Sequence, residues 1–175
     1  MTWSDVTHVY AGLTTFMALT CVLAYAVNRN ALDLFAAGVV VFSFTVVSEW
    51  IVSALDPPWS SAHMPPQDVM CAVVAWWASR RSTERWPRWL ALAFTAQCGV
   101  HVLYWGAIAL DFWFDAGSHV HFLTRLYPWP INTLFLIEIA VLITAGGGHV
   151  ARYVRDSMPL LHRGAARSVS HGGRW

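Results

Sequence analysis

The 175-residue chain is 57% hydrophobic and only 12% charged, with a formal net charge of +1, about half the ~25% charged content of an ordinary soluble domain. It is long enough to bury one core, yet several near-continuous apolar runs of about twenty residues exceed what a soluble fold of this size can hide. The near-zero net charge gives no bulk electrostatic case for nucleic acid, and the three cysteines lack CxxC spacing and lie in apolar runs, so they read as core thiols.

Taken in order, residues 8–27 form the first apolar run. Ala24-Tyr25-Ala26 has the form of a cleavage site, but the run is long and no positive segment precedes it, which argues for a span rather than a signal peptide. Asn28-Arg29-Asn30 reads as a polar turn, and residues 31–55 as a second span with Glu49 near its far end. Asp56-Pro57-Pro58 stops that helix, because proline lacks a donor and clashes with the preceding turn.

A loop carrying His63 follows, and Pro65-Pro66-Gln67-Asp68 reads as a helix start. Residues 65–81 form a short third span provided that Arg80 and Arg81 snorkel to the interface; the alternative is a helix lying in the interface, which reduces the count to four. Arg80, Arg81, Arg85 and Arg88, interleaved with Trp76, Trp77, Trp86 and Trp89, make a membrane-interface signature facing anionic lipid.

Residues 86–110 are long enough to cross a ~30 Å hydrocarbon core and carry Gln97 and His101 within the apolar run. An aromatic loop with His119 and His121 precedes the last span, 131–150, which holds Glu138. The expected domain therefore covers residues 1–163, and the basic, Ser/Gly-rich stretch 164–175 reads as a disordered tail. The distribution of arginines favours five spans, with the amino terminus outside and the carboxyl terminus cytoplasmic.

That topology places three ionisable residues at one depth. Glu49 is six residues before Leu55, His101 nine before Leu110, and Glu138 eight after Pro130, or roughly 9 to 14 Å below the outer helix ends. Ionisable groups at such depth are costly and need partners. Glu49, His101 and Glu138 are therefore the candidate site, with His63, Asp68, His119 and His121 as outer-end candidates. Carboxylate and imidazole suit a transition metal or a proton relay, and interhelical hydrogen bonding that merely fixes the bundle is the plain alternative.

The sequence thus predicts an all-α polytopic integral membrane helix bundle. Its tryptophan-rich, short-looped layout resembles that of small bacterial and bacteriophage membrane proteins, a resemblance of style that assigns no residue roles. The expected setting is a bacterial cytoplasmic membrane, where the protein serves as an accessory or interaction subunit, with itself or other membrane subunits as partners. A membrane-embedded metal or proton site for transport or redox chemistry is the alternative, and a membrane-permeabilising, lysis-type protein is a third class.

Overall fold

The computed structural model describes residues 3–54, 64–114 and 126–171, and the side chains of 3–8, 49, 52–53, 111–112, 114 and 159–171 fall outside the description. Every described element is helical: α1 (Trp3–Val27), a 3-10 turn (Arg29–Ala31), α2 (Leu32–Ala54), α3 (Met64–Arg81), α4 (Trp86–Phe114) and α5 (Pro128–His171). Among the described residues, four stretches are long and apolar enough to cross a membrane: Val9–Val27, Arg29–Ser48, Trp86–Leu110 and Pro128–Met158. The protein is an all-helical bundle with four membrane-span candidates. Helix α3 has 18 residues, or about 27 Å of rise, but it does not belong to the set selected by length and apolarity.

Local chemistry explains most boundaries. Pro65 and Pro66, Pro87, and Pro128 and Pro130 fall in the first turns of α3, α4 and α5, where the missing N–H has no intrahelical partner to lose. Asn28 caps the 3-10 turn, its side chain accepting a hydrogen bond from the Asn30 N–H at 3.1 Å. Helix α5 continues past Val150, the expected end of the last span, to His171. The first residues after Gly164 are Ala165, Ala166 and Arg167, all good helix formers.

The packing order across the bundle is α2, α1, α5, α4, α3; α2 and α3 touch only slightly. Small residues set two close approaches. A Cβ on Gly38 would stand 2.8 Å from the Cys21 side chain, and one on Gly146 would stand 2.8 Å from Thr20 Cγ2. Both contacts involve α1, so α1 is clasped between α2 and α5 at separations only glycine permits. Met17, Cys21, Leu34, Ala91, Ile139 and Leu142 fill the interior. Phe16, Leu19, Val46, Val73 and Leu103 point outward, as lipid-facing side chains must in a membrane, where apolar exterior carries no solvation cost.

Helix α3 runs antiparallel to α4 across a four-residue turn, Ser82–Arg85, and packs closely along it. The Trp76 indole donates to Thr95 Oγ1 at 3.0 Å, and the Arg81 guanidinium lies 4.0 Å from the Trp77 ring centroid. The hairpin fixes the level of everything on α3 relative to α4. Asp68 lies thirteen residues before Arg81, and His101 fifteen after Trp86, so both rise roughly 20 Å from the turn.

Candidate functional site

That equal rise places a carboxylate against an imidazole. His101 is 2% exposed, and its Nε2 lies 2.8 Å from Asp68 Oδ2. The other ring nitrogen, Nδ1, lies 2.7 Å from the Tyr127 hydroxyl, just ahead of α5. Tyr104, one turn beyond His101 on α4, stacks on the Tyr127 ring at 3.9 Å between centroids and holds it in place.

The chemistry of this triad has two satisfied states. An ionised carboxylate only accepts, so the Nε2–H donates to Asp68. In the neutral ring, Nδ1 then accepts the Tyr127 O–H. In the imidazolium, the Nδ1–H donates and the tyrosine oxygen accepts, after no more than a rotation of the hydroxyl. The network can gain or lose a proton without stranding a buried group, which would otherwise cost about 1–3 kcal/mol.

Glu138 adds a second acid beside this triad. It is 1% exposed on α5, and its Oε1 meets no hydrogen-bond partner among the described residues. Asp68 lies within electrostatic reach of Glu138, and both lie within such reach of Cys71 of α3 and Cys98 of α4. Gln97, one turn from His101, is also buried, and its Oε1 is likewise without a partner among the described residues; so is the Trp105 indole N–H. Three helices thus bring Asp68, Gln97, His101 and Glu138 into one polar region with hydrogen-bonding capacity to spare.

Glu49 lies on α2 with its side chain outside the description, and His63, His119 and His121 lie outside the described residues. The imidazole of His101 is turned to Asp68 and Tyr127. Among the described residues no group of three or more His, Cys, Asp or Glu side chains is placed to hold a metal ion. The arginines and tryptophans expected at an interface, Arg80, Arg81, Arg85, Arg88, Trp76, Trp77, Trp86 and Trp89, lie at the opposite end of the α3–α4 hairpin from Asp68, with Trp77 and Trp89 well exposed.

A second polar cluster sits at that arginine-rich end. Asn28 Nδ2 donates to His149 Nδ1 at 3.1 Å, His149 Nε2 lies 3.4 Å from Glu84 Oε1, and an Arg152 guanidinium nitrogen lies 3.4 Å from the same oxygen. Glu138 and His149 are eleven residues apart on α5, three full turns and hence on one face. Buried Leu142 lies between them, so the two polar clusters are separated by apolar packing. No family model, curated protein or solved structure matches the chain, and its chemistry is therefore read from these residues alone.

Proposed function

We propose that the protein is a small polytopic subunit of a cytoplasmic membrane assembly whose own chemistry is reversible proton binding at membrane depth, in service of transport or electron transfer. In this reading α3 is a fifth span, the arginine-rich end faces the cytoplasm, and Glu138 is the exchanging acid. The observation that supports it is a fully buried carboxyl group with one oxygen unpartnered among the described residues, next to an imidazole triad that accommodates either protonation state. An ionised carboxylate left unpaired in hydrocarbon costs a few kcal/mol on insertion scales, so such a group binds a proton, a donor or a cation. Proton binding is favoured over a metal centre because both His101 nitrogens are engaged by Asp68 and Tyr127.

The test is proton uptake by reconstituted vesicles enclosing a pH-sensitive dye, after an imposed membrane potential. Wild-type protein should accelerate uptake, and Glu138→Gln, which keeps shape and hydrogen bonding, should reduce the rate to that of protein-free vesicles. Equal rates for the two proteins would overturn the transport form of the proposal. A second reading rests on the same triad: Asp68, His101 and Tyr127 tie α3, α4 and the entry to α5 together, as the interhelical bonds of a purely accessory subunit would. It predicts that Glu138→Gln changes neither proton binding nor assembly.

A further inference from the structure

At the arginine-rich end, a groove of about 760 Å³ opens between the start of α4 and the middle of α5. Its floor is a stripe of α5 running through Ile137, Val141, Thr144 and Gly148, and Trp86 and Trp89 of α4 form the facing wall. These floor positions recur at three- and four-residue steps, so they form one continuous face, beside the face that carries Glu138 and His149. Arg85 and Arg152 stand at the mouth with Glu84. We infer that this groove seats an acyl chain of an anionic phospholipid, with the lipid phosphate held between Arg85 and Arg152.

Length, charge and space agree on that occupant. From Ile137 to Gly148 is eleven residues, about 16 Å of helix, or half of a ~30 Å hydrocarbon core, the depth of one leaflet. Two guanidinium groups against one carboxylate leave the mouth net positive. Glu84 is shared between Arg152 and His149, each at 3.4 Å, longer than the ~2.7–2.9 Å of a tight charge-assisted bond, so Arg152 has capacity for a second anion. Arg85 is exposed and Arg152 is 54% exposed, so lipid reaches both from the bilayer edge. A Cβ built on Gly148 meets no heavy atom within 4 Å, which leaves the floor open where the chain would descend past the headgroup. Trp89 is 60% exposed at the rim, the position in which an indole sits at headgroup level.

The experiment is native mass spectrometry of the full-length protein in mild detergent, titrated with phosphatidylglycerol or phosphatidylcholine. Phosphatidylglycerol should bind selectively, at one equivalent. Arg85→Gln combined with Arg152→Gln should weaken it by about 25-fold, roughly fivefold per arginine near an anionic headgroup. Arg155→Gln, on the exposed extension of α5, should leave it unchanged. Gly148→Leu fills the floor while retaining every charge, and it should abolish phosphatidylglycerol binding without lowering thermal stability, because leucine is the better helix former. Should that variant not fold, Thr144→Leu fills the same floor from an exposed position. Equal retention of both lipids would overturn the inference. So would retention of phosphatidylglycerol by the folded filling variant, or displacement by glycerol phosphate as effective as by the intact lipid.

Discussion

Three consecutive glycines near the end of the last apolar run, Gly146, Gly147 and Gly148, are chemically identical and structurally opposite. Substituting each by alanine should separate them by sign. At Gly147 and Gly148 a new Cβ meets nothing within 4 Å, so the change only removes backbone freedom and should stabilise the helix by about 0.5–1 kcal/mol. At Gly146 the same atom would lie 2.8 Å from Thr20 Cγ2 and 3.1 Å from the Thr20 carbonyl oxygen. A methyl can yield, but the carbonyl belongs to α1 and moves only with the helix, so overpacking of about 1–3 kcal/mol outweighs the propensity gain. Gly146→Ala should therefore lie about 2 kcal/mol below Gly147→Ala, roughly 30-fold in the unfolding equilibrium. Thr20→Ser should restore only part of that loss, since it removes the methyl and leaves the carbonyl. Unfolding by denaturing detergent in mixed micelles, monitored by tryptophan fluorescence, gives the order. Equal effects at all three positions would refute the close approach of α1 to α5, and with it the packing that buries Glu138.

Further outcomes follow from the two polar clusters and the topology. Tyr127→Phe leaves His101 Nδ1 buried without its partner and should cost about 1–3 kcal/mol, whereas Asp68→Asn retains an acceptor for Nε2–H and should cost less than Asp68→Ala; the same detergent unfolding assay ranks them. Glu84→Gln should change stability by no more than about 0.2–1 kcal/mol, because Glu84 and Arg152 are 37% and 54% exposed. Reporter fusions should read opposite sides for the two termini if α3 is a span, with the carboxyl terminus cytoplasmic; two interior readings would remove α3 from the set of spans.

The apolar runs were legible because length and hydropathy are local properties, and the proline punctuation placed helix starts within a few residues. The pairing of His101 was not. His101 and Glu138 stood out as ionisable residues at depth, but Asp68 read as an outer-end residue, because its level follows from how tightly α3 folds back along α4. Tyr127 carried no signal in an already aromatic segment. The Asn28–His149–Glu84–Arg152 cluster joins residues from three distant parts of the chain, and each alone reads as an ordinary helix-end polar group. Depth within a single apolar run is readable from a sequence; the level of one helix against another, and its rotation about its own axis, together choose the partner and are fixed by packing.

Reversible proton binding by Glu138 is the central claim, and infrared difference spectroscopy of the membrane-reconstituted protein tests it most directly. Spectra taken on either side of a pH step, through the range where carboxyl and imidazole groups titrate, should contain the C=O stretch of a protonated carboxyl that exchanges with solvent. The band should vanish in Glu138→Gln and shift in Asp68→Asn. A wild-type spectrum with no carboxyl band dependent on Glu138 would contradict the account and leave the buried cluster as the framework of an accessory subunit.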